Sequence, residues 1–164
     1  MAEHDLQERL NDHIKGAQAM EQNVKRMLDS MIGTTEDPQI KGDLEHHREE
    51  TERHERLLRE RLEARGEGTS TVKEVAGIGG ALLKGVGDMM RSEKPVKNAR
   101  DGYVTEHMEI AEYEMLERLA KRAGDDATAE VARRNCADER AMADKIEHNW
   151  DKFVDLMVRE EALA

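Results

Sequence analysis

Apolar residues recur every three to four positions in four long stretches of the chain, which is the spacing of the buried face of an α-helix. The first predicted helix runs from about 3 to 32 and the second from about 39 to 64. The third begins near Asn98 or Ala99. After a turn at 123–126, the apolar positions of the fourth continue to Met157. The pattern therefore predicts an all-α protein.

The connections between these helices alternate in length. Gly33 and Pro38 mark a short turn between the first two helices, and Gly124 marks another between the last two. A crossover at about 67–97 joins the two pairs, and apolar residues within it predict one or two short helices. Two antiparallel helix hairpins joined by one long crossover form a ferritin-like four-helix bundle. The length of 164 residues suits a single domain, 1–164.

Each predicted helix carries acidic residues on or beside its apolar stripe. Glu21 falls between Ala17 and Val24 on the stripe of the first helix. The acids of all four helices are Glu21, Glu50, Glu106 with Glu109, and the pair Asp138 and Glu139. Carboxylates crowded into an apolar core repel one another and lose solvation, so they favour a site that holds cations.

The second helix adds two histidines to these acids. His47 and His54 lie on its apolar stripe, and Glu50 lies on the flank between them. The spacing leaves open which imidazole is a metal ligand. Tyr103 and Tyr113 share a face with Glu106 and are interpreted as packing residues whose hydroxyls are hydrogen-bonded.

Carboxylates with one or two imidazoles suit iron or manganese better than metals that prefer thiolates. Two divalent ions would neutralise four buried carboxylates and stabilise the fold. The chain has 37 acidic residues, so some glutamates will fall near a helix core by chance. Glu50, which has several acidic neighbours, is the weakest candidate by this measure. A site for one ion stays an alternative.

The charge of the chain and the length of its apolar stretches argue against nucleic acid and membranes as partners. The formal net charge of -11 argues against nucleic acid, because phosphate binding requires a basic face. The least polar stretch, 75–86, is shorter than the roughly 20 residues of a membrane-spanning helix. The single Cys136 permits no intramolecular disulfide, and the opening residues lack a secretion signal. These features predict a cytoplasmic protein that does not enter a membrane.

Four segments resemble a known family in their order and spacing. They are Ala19-Met20-Glu21, His47-x-x-Glu50-Thr51, Glu106-His107-x-Glu109-Ile110-Ala111-x-Tyr113 and Asp138-Glu139. Over most of its length the chain resembles the YciE/YciF-like branch of the ferritin-like proteins. This resemblance implies a homodimeric four-helix bundle with a dinuclear metal centre and a role in bacterial stress responses.

The resemblance also implies the ligands and the cofactors. It nominates Glu21, Glu50, His54, Glu106, Glu109 and Glu139 as metal ligands, with two divalent ions, iron or manganese, as cofactors. Oxygen or peroxide is the implied partner of those ions. The better-known ferritin-like pattern has His three residues after Glu, where this chain has Arg53 after Glu50. Met142 stands where a second ligand histidine is expected, so the two metal positions are predicted to be unequal.

Three functions agree with this pattern. The first is a di-metal carboxylate protein that reacts with oxygen or peroxide. The second is a subunit of an iron-storage cage, which we expect to need a large closed assembly and a further helix beyond Ala164. The third is a non-catalytic helical bundle that acts as a stress-related interaction module. Metal content separates the third function from the other two.

Overall fold

The computed structural model describes residues 3–68 and 94–163, and these residues are almost entirely helical. They form the helices α1 Glu3–Thr34, α2 Pro38–Ala64, α3 Lys94–Arg122, α4 Asp126–Glu147 and α5 Trp150–Leu163. The predicted all-α class is confirmed. None of the helices in these two ranges is long and apolar enough to cross a membrane.

The helices α1 and α2 pack against each other as one hairpin, and α3 and α4 pack as a second. Contacts of α1 with α3, and of α2 with α4, close the four-helix bundle, while α5 packs on α3. The short helices predicted in the crossover lie outside the described residues. Helix α3 begins at Lys94 rather than near Asn98, since Pro95 is compatible with the first turn of a helix.

Aspartates begin two of the helices. Asp37 accepts hydrogen bonds from the backbone N–H groups of Gln39 and Ile40, and Asp125 accepts one from Thr128 at 2.9 Å. Such caps satisfy N–H groups that the helix itself leaves unpaired. Gly124, just before Asp125, has φ +73°, which a residue with a side chain rarely adopts. The predicted turn between the third and fourth helices is confirmed.

Asp125 also joins the two hairpins at one end of the bundle. It accepts from Arg61 Nη2 at 3.0 Å and from Arg65 Nη1 at 2.8 Å, both at the end of α2. Burial alone would raise the pKa of Asp125, but the Thr128 and arginine contacts outweigh it and lower that pKa. The α3–α4 turn is therefore tied to α2 by charged hydrogen bonds.

The predicted fourth helix is interrupted, because α4 ends at Glu147. His148 Nδ1 donates to Asp144 O at 2.7 Å, and Asn149 Nδ2 donates to Lys145 O at 2.7 Å. The Asn149 backbone N–H bonds three residues back, to Ile146 O, instead of four. Side chains that compete for backbone carbonyls in this way disturb a regular helix. Helix α5 then starts at Trp150.

Two clusters of buried apolar side chains fill the bundle. One contains Leu10, Ile14, Leu58, Leu62, Tyr113 and Leu116, and the other contains Val24, Leu28, Met31, Ile146 and Phe153. Glu21 comes between Ile14 and Val24 along α1. A layer of buried polar side chains therefore separates the two apolar clusters.

Candidate metal centre

Six charged or titratable side chains from the four helices meet in this polar layer. None of them exposes more than 1% of its surface. They are Glu21 from α1, His47 and His54 from α2, Glu106 and Glu109 from α3, and Glu139 from α4. Charged residues are almost never fully buried unless they are paired or bound, so this set is a candidate metal centre.

The six side chains form two groups. In the first, His47, Glu106, Glu109 and Glu139 each offer one ligand atom, and these atoms lie within 4.8 Å of one another. His47 Nε2 lies 3.2 Å from Glu106 Oε1 and 3.4 Å from Glu139 Oε2. This group contains one imidazole and three carboxylates.

The second group is made of Glu21, His54 and Glu139, whose ligand atoms also lie within 4.8 Å of one another. His54 Nδ1 lies 2.8 Å from Glu139 Oε1 and 3.4 Å from Glu21 Oε1. Glu139 thus belongs to both groups and presents a different oxygen to each histidine. A carboxylate placed in this way can bridge two neighbouring cations.

The outer nitrogen of each imidazole faces a further carboxylate. His47 Nδ1 lies 3.2 Å from Glu50 Oε2, and His54 Nε2 lies 3.0 Å from Asp138 Oδ2. Histidines that bind metals commonly donate their second N–H to a carboxylate, which sets the ring orientation and the tautomer. Here that contact leaves His47 Nε2 and His54 Nδ1 directed at the central acids.

The structure brings together five of the six ligands nominated from sequence, and it places Glu50 in neither group. The Glu50 side chain is 16% exposed, and the hydrogen bond from His47 lowers its pKa. His47, which the sequence left open as an alternative to His54, takes the central position beside Glu106 and Glu139. The sequence spacing could have indicated that both histidines face the centre, because His47 and His54 are seven residues, or about two helical turns, apart and so lie on one face of α2.

Tyr113, predicted from sequence to pack in the core with a hydrogen-bonded hydroxyl, contacts the second group. Its hydroxyl donates to Glu21 Oε1 and accepts from Asn135 Nδ2 at 3.1 Å. Burial and the Glu21 charge raise the pKa of Tyr113 well above its ordinary value, so the hydroxyl keeps its proton. Tyr113 therefore holds one oxygen of Glu21 in place.

Several buried polar atoms of the two groups have no hydrogen-bond partner within residues 3–68 and 94–163. They are Glu21 Oε2, His47 Nε2, His54 Nδ1, Glu106 Oε2, and both oxygens of Glu109 and of Glu139. Leaving such an atom unsatisfied costs about 1–3 kcal/mol. His54 Nδ1 lies close to Glu139 Oε1, and His47 Nε2 lies close to Glu139 Oε2, so these atoms are gathered within the two ligand groups. Carboxylates with imidazoles form a donor set that fits hard or borderline divalent cations, so the residues present fit a metal.

The same burial makes the metal-free cluster bind protons. Burial raises the pKa of Glu106 to about 7, and burial with the charges of Glu139, Glu21 and Glu106 raises that of Glu109 well above its ordinary value. Burial would lower the pKa of His54, but Glu139 and Glu21 outweigh it and raise that pKa to about 10. Protons and metal ions therefore compete for these atoms.

We expect the metal-free protein to lose stability as the pH rises from about 5 to about 10. The unfolded chain releases these protons near pKa 4.5 for Glu106 and 6.5 for His54, whereas the folded chain holds them to about 7 and about 10. The folded state thus binds more protons, and its stability falls with pH by about 1.4 kcal/mol for each proton and pH unit. Denaturant unfolding in the presence of a chelator measures this, and a rise over the same range would contradict it.

A polar groove between α1 and α2 reaches Glu21 from outside. The groove has a volume of about 400 Å³ and is lined by Lys25, Thr51, Glu55 and Arg59 among others. Gln18, which is buried, donates to Glu55 Oε1 at 2.8 Å. The groove is therefore the polar side from which Glu21, itself fully buried, is nearest to solvent-accessible space.

A four-helix bundle with buried acids from α1, α3 and α4 and histidines from α2 at its centre has a ferritin-like fold. The chain belongs to the family described as "Domain of unknown function (DUF892)", whose profile matches residues 5–158.

Solved structures share this fold. A protein from Xanthomonas campestris is 26% identical with a TM-score of 0.82, and the match covers 96% of this chain and 99% of that one. The Escherichia coli stress protein YciF is 17% identical with a TM-score of 0.77, covering 92% and 97%. A dodecameric thioferritin, the bacterioferritin-related protein from Bacteroides fragilis, is 15% identical with a TM-score of 0.70, covering 95% and 90%. The predicted ferritin-like fold is confirmed.

Proposed function

We propose that this protein binds two divalent metal ions, iron or manganese, and uses them in a redox reaction with oxygen or peroxide. The observation that supports the proposal most directly is the pair of ligand groups that share Glu139. One ion is assigned to His47, Glu106, Glu109 and Glu139, and the other to Glu21, His54 and Glu139. The groups differ by one carboxylate, as expected for two unequal positions.

Charge balance supports two ions rather than one. The central carboxylates are Glu21, Glu106, Glu109 and Glu139, and all four are fully or almost fully buried. Their four negative charges would be neutralised by two divalent cations without protons. Glu50, nominated from sequence, is proposed to orient His47 instead of binding metal, as Asp138 orients His54.

Bound ferrous ions would supply two electrons, which with two protons reduce oxygen to hydrogen peroxide or hydrogen peroxide to water. The chain's own residues would position and neutralise these ions. Tyr113 holds one oxygen of Glu21, whereas neither oxygen of Glu109 has a hydrogen-bond partner among the described residues. Glu139 shares that lack of partners but lies beside both histidines, whereas Glu109 has no histidine contact among the described residues and is the carboxylate least restrained by the protein.

The relatives suggest a cellular role and an oligomeric state for this protein. The Escherichia coli relative is a stress protein, and the Bacteroides fragilis relative is a dodecamer. We propose that this chain belongs to the YciE/YciF-like branch and acts in a bacterial stress response in the cytoplasm. We further propose that it forms a homodimer. Light scattering would separate a homodimer from a storage cage by size.

Counting the iron retained after anaerobic ferrous loading and desalting tests the proposal. We expect about two ions per chain, one for each buried group. An exposed group, His4, Asp5 and Glu8, can bind metal adventitiously, so a His4→Ala variant is the matched control and should retain the same number. Retention of no iron and no manganese would overturn the proposal and favour the non-catalytic bundle.

A further inference from the structure

An apolar cavity lies at the end of the bundle where α1 ends and α3 begins. It encloses about 70 Å³ and is lined mainly by apolar side chains, among them Met27, Met31, Leu44, Ile146 and Phe153. Glu106 also lines the cavity. The cavity thus reaches from the end of the bundle to Glu106, a residue of the first ligand group.

Gly102 accounts for part of this space. It is buried on α3, one helical turn before Glu106, and it also lines the cavity. Side chains on a helix lean toward its N-terminus, so the Glu106 side chain leans over the turn that contains Gly102. A Cβ atom at Gly102 would lie 3.4 Å from Ile146 Cδ1. A larger side chain at this position would therefore occupy the space between Ile146 and Glu106.

The size and lining of the cavity limit what it can bind. An engineered apolar cavity of about 150 Å³ holds benzene or xenon, so one of about half that volume suits a molecule of a few atoms. Hydrogen peroxide would lose its hydrogen bonds to water on entering an apolar space, at a cost of about 2 kcal/mol or more. Dioxygen is apolar and has no such cost.

We infer that this cavity binds dioxygen and admits it to the Glu106 side of the metal centre. The inference rests on the proposed redox function and identifies dioxygen, not peroxide, as the oxidant that uses this route. Peroxide, being polar, would instead approach Glu21 through the polar groove between α1 and α2. The two oxidants would thus reach the centre from different sides.

Xenon tests the cavity without any metal, because it is an apolar probe of suitable size. Metal-free crystals of the native protein under xenon pressure should show xenon beside Ile146 and Phe153. A Gly102→Leu variant should lose this site. A Gly42→Leu variant is the matched control, since Gly42 is exposed on α2 with no atom within 4 Å of an added Cβ. Absence of xenon from the native cavity would overturn the inference whether or not the protein binds metal.

Oxidation kinetics of the iron-loaded protein test the route. Gly102→Leu should slow oxidation by dioxygen several-fold and leave oxidation by hydrogen peroxide unchanged. Gly102→Ala, which gains helix propensity and adds one methyl group, should fold and show a smaller effect of the same kind. An unchanged dioxygen rate, or equal slowing with both oxidants, would overturn the route. Failure of the native protein to retain iron would instead overturn the proposed function, and xenon binding would still decide the cavity.

Discussion

Replacing Glu139 with glutamine is expected to abolish retention of both metal ions while the helical bundle stays folded. Glu139 Oε1 lies 2.8 Å from His54 Nδ1, and Glu139 Oε2 lies 3.4 Å from His47 Nε2, so this carboxylate serves both ligand groups. Glutamine has nearly the same shape, but it lacks the charge and one of the two oxygens. Substituting a residue that only orients a ligand costs about 10–100-fold in affinity, so loss of this shared ligand should cost more.

Iron content and far-ultraviolet circular dichroism of the Glu139→Gln variant check this result. Glu147→Gln is the matched control, because Glu147 lies on the same helix but is exposed. The control should retain as much iron as the native protein. Glu106→Gln, which alters only the first group, should retain about half as much. Full retention by Glu139→Gln would show that Glu139 is not the shared ligand.

Replacing Glu109 with glutamine is expected to stabilise the metal-free protein and to weaken metal binding. Glu109 is fully buried, and its raised pKa means that it keeps a proton after the unfolded chain has lost one at about pKa 4.5. Taking up that proton on folding costs about 1.4 kcal/mol for each pH unit above this value, up to the folded pKa. Glutamine removes this cost, so the metal-free variant should be more stable than the native protein near pH 7.

Urea unfolding with a chelator at about pH 4.5 and pH 7.5 measures this effect. The difference between the Glu109→Gln variant and the native protein should be small at the lower pH, where the unfolded chain still holds about half of the proton. At the higher pH the variant should be more stable. With metal bound the order should reverse, since the variant has lost a ligand that stabilises the folded state. An equal difference at both pH values would rule out proton uptake by Glu109 as the cause.

The helices and their turns followed from local signals in the sequence. Apolar periodicity located the four helices of the bundle, and the Asp and Gly residues at 124–125 located the turn before α4. The interruption at His148 and Asn149 had no such signal, because the apolar stripe continues across it through Ile146 and Phe153. Hydrogen bonds from these two side chains to the preceding turn end α4, and periodicity does not report them.

The sequence likewise identified some residues of the candidate metal centre and not others. Glu21, Glu106 and Glu139 stood out because apolar neighbours on the same stripe require them to point inward. Glu50 lies only about 60° around the helix from His47, so helical angle alone could not separate the two roles. The packing of the four helices against one another decides which imidazole nitrogen faces the acids. It also decides which glutamate the two ligand groups share. That arrangement comes from packing over long sequence distances.

The break between α4 and α5 puts part of the lining of the apolar cavity on a helix separate from the one that carries Glu139. Glu139 lies on α4, whereas Phe153, which lines the apolar cavity, lies on α5. Substitutions along α5 can therefore reshape the cavity with the α4 backbone left in place. For protein engineering, this makes α5 the part of the chain in which to seek variants that accept larger apolar molecules beside an unaltered cluster of acids and histidines.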